Sequence, residues 1–312
     1  MIMTPDENLH GHLPFSLCIQ EKFICPVRNQ RSMNQPVILI TGSTDGIGKA
    51  TAQNLLSRGA EVIIHGRNKQ KGNRVRKELA KVTGGSLPDL LVADLSRLDE
   101  VRHMAEDTAS RYPRLNVLIN NAGTFEKERY LTSDGVEKTF AVNFLAPFLL
   151  TRSLLPVLTN TTPSRIVTVA SSAHEDVDHI DWDNLPAQDH YDGWGAYALS
   201  KFADITFTYS LARAIKGTGV TVNCLHPGVT DTKLLRSVFP GYPAISPEVG
   251  ARTSVYLATS LDVTGTSGRY FDGRKQVRSS ALTYNREVQD RLWNLAENLV
   301  GGPFPDANTH SV

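Results

Sequence analysis

Short apolar runs alternate with amphipathic segments along most of the chain, starting at about Pro36. The runs are rich in Val and Ile, whereas the amphipathic segments repeat their apolar residues at helical spacing. The pattern predicts strands at Val37–Thr41, Val62–His65, Leu90–Ala93, Asn116–Asn120, Arg165–Ala170, Val220–Leu225 and Gly268–Phe271. It predicts helices at Gly46–Arg58, Asn68–Lys81, Arg97–Arg111, Asp134–Leu158 (bent at Pro147), Gly195–Lys216, Pro247–Thr259 and Val288–Leu299.

Strands of this composition, with helices between them, indicate a parallel sheet that is covered on both faces. We therefore expect an α/β fold with a single doubly wound parallel sheet and helices on both faces. Periodicity starts only after residue 34, so we expect a leader over 1–34, one domain over 35–301 and a tail over 302–312. The leader either is dispensable, with Met33 as an alternative start, or caps a site or a partner.

Composition narrows the class of protein. The 312 residues are 40% hydrophobic and 21% charged with a net charge of +1, which fits one sizeable domain and gives no basic excess for a nucleic-acid partner. The 3 cysteines cannot all pair and form no CxxC, which favours a reducing compartment. No apolar run is long enough to span a membrane and no secretory signal is evident, so we expect no membrane anchor and a cytoplasmic location.

A glycine-rich turn joins the first strand to the first helix. Its spacing is G-x-x-x-G-x-G, with Gly42, Gly46 and Gly48, and it includes Ser43 and Ile47. Glycines at such a turn let the backbone approach a pyrophosphate, which the helix N-terminus then faces. By itself the pattern is also typical of an ordinary tight turn.

The second strand is followed by Gly66 and Arg67. A site for NAD would place Asp or Glu there to bind the ribose hydroxyls, whereas a guanidinium can bind a 2′-phosphate with two hydrogen bonds. This exchange indicates NADP(H). The basic residues of the next helix, Lys69 and Lys71 among them, are interpreted instead as a solvated helix face.

Two further strand ends carry candidate contacts for a nucleotide. Asp94 could accept a hydrogen bond from an adenine amino group and is followed by Leu95, and Asn121, Ala122 and Gly123 leave room beside the next strand.

Tyr197 and Lys201 lie four residues apart on a predicted helix and therefore share a face. An ammonium beside a phenol stabilises tyrosinate and makes it a usable proton carrier. Ser171 and Ser172 stand at the end of the fifth strand, where a hydroxyl could hold a substrate oxygen. A YxxxK pair alone is more often an exposed pair than a catalytic site. The other motifs in the chain therefore decide between the two interpretations.

Together, these motifs resemble those of the short-chain dehydrogenase/reductase family, and the resemblance covers about Pro36 to Gly301. The glycine turn, Asn121-Ala122-Gly123, Asn143, Ser172 and Tyr197-x-x-x-Lys201 occur in the family's order. The family implies a Rossmann-like fold and hydride transfer between a nicotinamide and a carbonyl or alcohol. The tail, with Gly268-Arg-Tyr-Phe271 and Leu292-Trp293, resembles the retinol dehydrogenase-like branch.

The resemblance also assigns roles. Tyr197 gives or takes the proton, Lys201 stabilises the tyrosinate and binds the nicotinamide ribose, and Ser172, preferred to Ser171, orients the substrate oxygen. Asn143 helps to hold a water that links Lys201 to solvent. The segment near the nicotinamide carboxamide is matched by Pro227, Gly228, Thr230 and Thr232.

Two departures limit these implications. Asp45 stands where some NADP-using members carry a basic residue, so the preference for NADP rests on Arg67, with Ser43 as a second contributor. Membrane-anchored members of the branch have an N-terminal anchor that we do not find, so retinoid chemistry does not follow. A non-catalytic NADP(H)-binding sensor on the same fold is the alternative, and association of identical copies stays open.

The substrate side offers weaker signals. The segment Lys233–Ile245 combines apolar residues with a Pro240-Gly241 bend and is interpreted as a lid over an apolar pocket; the alternative is that it packs on the protein's own core or against another subunit. Its apolar residues are Leu234, Leu235, Val238, Phe239 and Tyr242. Aromatic candidates for the pocket are Trp182, Tyr191 and Trp194. His174 to His179 with Asp181 and Asp183 is interpreted as a solvated loop rather than a metal site, and Cys224 as a buried hydrophobe.

Overall fold

The computed structural model describes residues 35–185 and 190–305. The expectations for the leader, including Cys18, Cys25 and Met33, and for most of the tail lie outside the described residues. The strands form one eight-stranded sheet in the order β3-β2-β1-β4-β5-β6-β7-β8, and β8 is antiparallel to β7 while the others pair in parallel. Their bounds are β1 Val37–Ile40, β2 Glu61–His65, β3 Asp89–Leu91, β4 Val117–Asn120, β5 Ser164–Val169, β6 Val220–His226, β7 Arg269–Asp272 and β8 Lys275–Val277.

Helices connect the parallel strands and cover both faces of the sheet. They are α1 Gly46–Ser57, α2 Lys69–Thr83, α3 Leu98–Arg111, α4 Lys138–Phe140, α5 Ala146–Thr159, α6 Gly193–Ala214, α7 Lys233–Val238, α8 Pro247–Thr259 and α9 Arg286–Leu299. The predicted doubly wound parallel sheet is therefore confirmed, with β8 added at one edge. That strand has only three residues, two of them exposed, and so carries no apolar run from which to predict it.

The helix predicted to start at Asp134 starts later. Glu137 is fully buried and caps α4, accepting hydrogen bonds from the backbone of Thr139 and Phe140, both at 2.8 Å. Asp134 instead accepts from the backbone N–H of Leu98 on α3 at 3.2 Å. A carboxylate that satisfies the free N–H groups of the first turn defines a helix start, so Glu137 sets the boundary.

A π-helical turn, Ala141–Leu145, joins α4 to α5. The N–H of Ala146, which follows the turn, bonds to the carbonyl of Ala141, five residues back, whereas the next residue, Pro147, has no N–H to donate to the preceding turn. The irregularity expected near Pro147 thus takes the form of a π-helical turn, and Asn143 lies in it.

Two large apolar clusters, one on each face of the sheet, form most of the core, and a smaller third cluster includes Cys224. One contains Phe140, Phe144 and Phe148 with residues of α3, α6 and α9, and the other contains Ile38 and Ile40 with residues of α1, α2 and α8. In the described part of the chain, the segment Lys138–Thr159 is long and apolar enough to cross a membrane by composition, but 72% of that stretch is buried inside the fold. The expected absence of a membrane anchor and the cytoplasmic location stay predictions.

The chain leaves β1 toward β2 on one side and later returns to β4 on the other. The order of the strands therefore reverses between β1 and β4. In such sheets a crevice opens outside the carboxyl ends of the strands at this point, and ligands bind there.

Candidate active site

A cleft of about 790 Å³ lies along the carboxyl ends of the strands. Its size suits a ligand or cofactor site. Most of the residues that the sequence analysis singled out line it, namely Gly42, Gly46, Ile47, Gly48, Arg67, Asp94, Leu95, Asn121, Ala122, Gly123, Ser172, Tyr197, Lys201, Pro227, Gly228, Thr230 and Thr232.

The glycine turn lies in close contact with the end of β4. A Cβ on Gly42 would stand 2.8 Å from the Cα of Ala122, and one on Gly48 would stand 2.4 Å from the side-chain amide nitrogen of Asn121. Gly42 also has a φ of +63°, which a side chain disfavours. These glycines let the first turn pack directly on Asn121 and Ala122, and the two segments together form one wall of the cleft.

Ser43 does not reach the cleft, so its expected role beside a 2′-phosphate is wrong. Its hydroxyl donates to the carbonyl of Ile40 at 2.8 Å and accepts from the backbone N–H of His65 at 2.9 Å, and the residue is fully buried. The next residue, Thr44, lines the cleft instead. A Cβ on Gly66 would stand 2.7 Å from the Thr44 side chain, so any side chain at position 66 would have to displace Thr44.

His65 ties the glycine turn to the sheet, a role that the sequence did not reveal. Its Nδ1 accepts from the N–H of Gly42 at 3.0 Å, and its Nε2 lies 3.1 Å from the carbonyl of Ala93. Both contacts are made by a neutral ring whose Nε2 donates. Burial lowers the pKa of His65 to about 4.

Stability should therefore fall as the pH is lowered from about 6.5 to about 4. The unfolded chain takes up the proton near pH 6.5 and the folded one only near pH 4, so the unfolded state binds more protons between these values. We expect the free energy of unfolding to lose on the order of 3 kcal/mol from His65 over that interval. In His65→Gln, which keeps an acceptor and a donor but does not titrate, chemical denaturation at several pH values should show a correspondingly weaker dependence. An unchanged dependence would refute the assignment.

The end of the cleft beside β2 is basic. Arg67 is exposed and lines this end, and so does Lys71, which lies in the first turn of α2. Lys71 was interpreted as part of a solvated face, yet its Nζ bonds to Asp45 at 2.6 Å, and Lys233 of α7 reaches the same carboxylate at 3.0 Å. Burial would raise the pKa of Asp45, but hydrogen bonds from these two lysines lower it to about 2.

Asp94 and Leu95 follow at the end of β3. The Asp94 carboxylate accepts from the N–H of Ser96 at 3.0 Å and from its hydroxyl at 2.7 Å. These bonds fix the carboxylate at the cleft wall and help to lower its pKa against the effect of burial. A contact with adenine stays a prediction.

Tyr197 and Lys201 lie on α6 at the other end of the cleft. Asp192 caps that helix by accepting from the N–H groups of Trp194 and Gly195, which places Tyr197 in the second turn. Lys201 is only 4% exposed, and its Nζ donates to the carbonyl of Val169 at 2.8 Å. The phenol and the ammonium therefore face the cleft from one helix face, as their spacing predicts.

Asn143 does not line the cleft but supports it from behind. It is 1% exposed, its Oδ1 accepts from the N–H of Thr124 at 2.7 Å, and its Nδ2 donates to the Thr124 carbonyl and to Ser200 Oγ, both at 3.0 Å. A Cβ on Gly123 would stand 3.6 Å from its Oδ1 and 3.9 Å from Lys201 Nζ. Asn143 thus joins the loop after β4 to α6 beside the lysine, while its place in a water relay stays a prediction.

The serine pair is held by two histidines. The Ser171 hydroxyl accepts from the N–H of Ala173 at 3.2 Å, whereas Ser172 is exposed at the cleft and its N–H donates to His226 Nδ1 at 3.1 Å. His174 is buried and bridges the Ser171 carbonyl, 2.7 Å from its Nδ1, to the N–H of Ser280, 3.1 Å from its Nε2. Both serines line the cleft, but Ser171 caps the following turn whereas Ser172 is the more exposed, which makes Ser172 the better candidate to meet a substrate.

The loop after β6 closes the cleft at the same end. Gly228 has a φ of +79°, and the buried Thr230 donates from its hydroxyl to the Gly228 carbonyl at 3.0 Å. Thr232 caps α7 by accepting from the N–H of Leu235 at 3.2 Å. The Thr230 side chain therefore shapes the loop, and that of Thr232 starts the segment interpreted as a lid.

That segment forms α7 and a following turn, and none of the α7 residues is buried. Its apolar side chains line the cleft, namely those of Leu234, Leu235, Val238, Phe239 and Tyr242. The segment is anchored at its far end, where the N–H of Ile245 donates to the carbonyl of Val229 at 2.9 Å. These side chains lie on the cleft rather than in the core, which removes packing on the protein's own core, while packing against another subunit stays open.

Aromatic rings surround the Tyr197 phenol. The ring of Trp194 lies 5.8 Å from it and that of Phe125 lies 6.0 Å away, while Phe239 is 5.5 Å from Trp194. The Trp194 ring is fixed by a hydrogen bond from its Nε1 to Asp176 at 2.9 Å. Phe125 was missed, although it follows the Asn121–Gly123 turn closely in sequence.

The other aromatic candidates do not line the cleft. Trp182 packs under the guanidinium of Arg291, which is 4.0 Å from its ring centre, and Tyr191 donates to the carbonyl of Glu126 at 2.7 Å. Cys224 is buried with a free thiol on β6, as predicted. Among the described residues no group of three potential ligands could hold a metal ion.

Comparison with known proteins shows the family to which the chain belongs. The sequence profile of the short chain dehydrogenase family matches residues 36–243. Retinol dehydrogenase 14 of Mus musculus is 39% identical over 305 residues, which cover 88% of this chain and 91% of that protein. Polyprenol dehydrogenase of Homo sapiens is 35% identical over 281 residues, which cover 85% of each.

Solved structures agree with the fold. The structure of a short chain dehydrogenase from Escherichia coli CFT073, complexed with NADPH, superposes with a TM-score of 0.64 at 29% identity. The superposition covers 78% of this chain and 98% of that one.

Proposed function

This chain belongs to the short-chain dehydrogenase family, in its retinol dehydrogenase-like branch, and on that premise we propose that it uses NADP(H) to interconvert an apolar aldehyde or ketone with its alcohol. The observation that carries the reaction is the joint placement of Ser172, Tyr197 and Lys201 in one cleft. Hydride transfer between a nicotinamide and a carbonyl needs a proton at the substrate oxygen, and these are groups suited to supply it.

The residues present fit a nicotinamide dinucleotide. The glycine turn and the Asn121–Gly123 segment offer backbone at close range, a basic end suits the adenosine phosphate, and Lys201 with the loop from Pro227 to Thr232 suits the nicotinamide end. When bound, the nicotinamide supplies or accepts the hydride. The chain itself binds and orients it.

The protein groups divide the proton chemistry among them. The Ser172 hydroxyl donates to the substrate oxygen and orients it, and the Tyr197 hydroxyl gives its proton to that oxygen in reduction and takes it back in oxidation. The Lys201 ammonium stabilises the phenolate oxygen that remains. The apolar rings around Tyr197 exclude water, which strengthens these electrostatic interactions.

Preference for NADP(H) follows from the end of β2. Gly66 cannot be replaced by an acid without displacing Thr44, and Arg67 and Lys71 instead offer two cations at the adenosine end. A 2′-phosphate needs such donors, whereas the ribose hydroxyls of NAD would find no carboxylate at position 66. The solved relative from Escherichia coli is complexed with NADPH, which agrees with this assignment.

The apolar substrate is proposed from the lid. Residues of α7 and the turn that follows keep apolar side chains on the cleft beside Trp194 and Phe125, and Phe239 is 42% and Tyr242 57% exposed. Exposed apolar surface at a cleft is a feature of ligand-binding sites. Two relatives bear the names of dehydrogenases of retinol and of polyprenol, both long apolar alcohols.

We expect kcat/KM to rise with chain length along a series of straight-chain aldehydes. Each buried methylene contributes about 0.8 kcal/mol, which corresponds to up to about fourfold per step. Phe239→Ala should flatten the rise, whereas Leu261→Ala should not, because Leu261 is 84% exposed and does not line the cleft. A flat or falling series in the wild type, or a preference for a charged sugar or acid, would contradict the apolar pocket.

The non-catalytic sensor is not favoured. A sensor needs cofactor contacts but has no use for a serine, a phenol and a buried ammonium that face the same cleft. The association of identical copies stays a prediction.

A further inference from the structure

A carboxylate lies directly behind the active-site lysine. Asp204 is three residues after Lys201 on α6, and its Oδ2 is 3.0 Å from Lys201 Nζ. The residue is completely buried, and its other oxygen, Oδ1, is buried without a hydrogen-bond partner in the described part of the chain. A buried carboxylate with one unsatisfied oxygen is costly, which calls for a reason beyond the stability of the fold.

Burial and the partner's charge act in opposite directions on the pKa of each member of the Lys201–Asp204 pair. Burial lowers the pKa of Lys201, but the adjacent Asp204 carboxylate, together with Tyr197, outweighs it and leaves that pKa raised. For Asp204 burial dominates and raises the pKa to about 6 in spite of the lysine. The Asp204 carboxylate therefore directly opposes the effect of burial on the Lys201 ammonium.

Few other charges reach the pair. Tyr197 interacts with Lys201 from the cleft side, and Cys224 of β6 faces Asp204. Burial raises the pKa of the Cys224 thiol, so that it stays neutral. The remaining contact of Lys201 Nζ in the described residues is the Val169 carbonyl of β5, which is uncharged. Asp204 is the only carboxylate that the described structure pairs with the lysine.

We propose that Asp204 is a positioning residue for proton transfer, whose buried carboxylate keeps the Lys201 ammonium charged and aimed at the cleft so that it can stabilise the Tyr197 oxygen. Its effect on catalysis passes through Lys201, since Asp204 itself is buried and does not line the cleft. This role rests on the proposed function. The charge of the lysine, however, can be measured without any turnover.

The direct test is nuclear magnetic resonance of the full chain labelled with ¹³C at the lysine side chains, with the Lys201 signal assigned from its loss in Lys201→Met. In Asp204→Asn, which keeps the shape but removes the charge, burial acts on the ammonium unopposed. We expect the titration midpoint of Lys201 to fall by about two pH units or more, since fully buried lysines shift by up to 3–5 units. An unchanged or higher midpoint would overturn the proposal.

Matched variants separate charge from structure. Asp204→Glu retains a carboxylate and should keep the midpoint near that of the wild type. Thr206→Val removes a buried hydroxyl of α6 that bonds to the Ala203 carbonyl and does not touch Lys201, so it should leave the midpoint unchanged. Asp204→Ser is a second neutral variant in case the asparagine variant does not fold, and it should behave as Asp204→Asn is expected to. A shift of equal size in Thr206→Val would overturn the proposal.

Turnover gives an independent readout. In carbonyl reduction, activity should fall as the pH is raised and Lys201 loses its proton. This alkaline fall should be centred at a lower pH in Asp204→Asn than in the wild type, because Lys201 of the variant loses its charge at a lower pH. Coinciding alkaline limbs in two folded, active enzymes would overturn the role in catalysis. A wild type without turnover on any carbonyl would contradict the proposed function, while the lysine titration would still decide whether Asp204 holds the ammonium charged.

Discussion

Tyr197→Phe is expected to lower the turnover of carbonyl reduction by about 10²- to 10⁴-fold, the usual contribution of general acid–base catalysis. The substitution removes only the hydroxyl. The ring keeps its neighbours Trp194 and Phe125, and the glycine turn at the other end of the cleft is untouched. Binding of NADPH, followed by its fluorescence, should therefore persist. Initial rates at saturating NADPH measure the loss.

Lys201→Ala makes the informative comparison. It removes the ammonium that is assigned both to the phenolate oxygen and to the nicotinamide ribose, so both turnover and NADPH binding should suffer. If Tyr197→Phe kept more than about a tenth of wild-type turnover, another group would have to carry the proton. If it lost cofactor binding as well, the tyrosine would have a role in the cleft beyond proton transfer.

Arg67→Ala is expected to raise the dissociation constant of NADPH by about 10- to 100-fold and to leave that of NADH nearly unchanged. The estimate corresponds to the loss of hydrogen bonds between charged groups, worth about 1.5–3 kcal/mol. Lys71→Ala should act in the same direction but less, because Lys71 is already paired with Asp45 in the structure. Calorimetric or fluorescence titrations with both cofactors provide the measurement.

Lys69→Ala is the matched control for Arg67→Ala. Lys69 is an exposed cation two residues further along the chain, at the start of α2, but it does not line the cleft, so its loss should change neither dissociation constant appreciably. Equal losses of NADPH and NADH affinity in Arg67→Ala would contradict the contact with the 2′-phosphate.

The order of strands and helices was predictable because buried parallel strands and amphipathic helices carry strong periodic signals. A very short strand and the exact start of a helix were not predictable in this way. The edge strand β8 has two exposed residues among three, and the start of α4 depends on the buried side chain of Glu137, which only the folded chain brings into contact with its neighbours. Local chemistry at an element boundary is settled by tertiary packing.

The site was predictable where function requires a particular residue type and spacing, as for the glycine turn and for Tyr197 with Lys201. It was not predictable where the direction of a side chain decides. Ser43 turns into the core and Lys71 into the cleft, opposite to their expected places, and neither direction is encoded in residue type. His65 hydrogen-bonds to the backbone of Gly42, and Asp204 forms an ion pair with Lys201. The residue types alone do not reveal these contacts, which form only when the chain folds.

The central claim is hydride transfer to a carbonyl with NADPH as the donor. Its most direct test is the oxidation of NADPH by the purified full chain across a panel of apolar aldehydes and ketones, with NADH in parallel and Tyr197→Phe as the negative control. We predict carbonyl-dependent oxidation that is faster with NADPH and collapses in the variant. Oxidation of neither cofactor with any carbonyl, by a protein that binds NADPH, would contradict the account and favour the sensor.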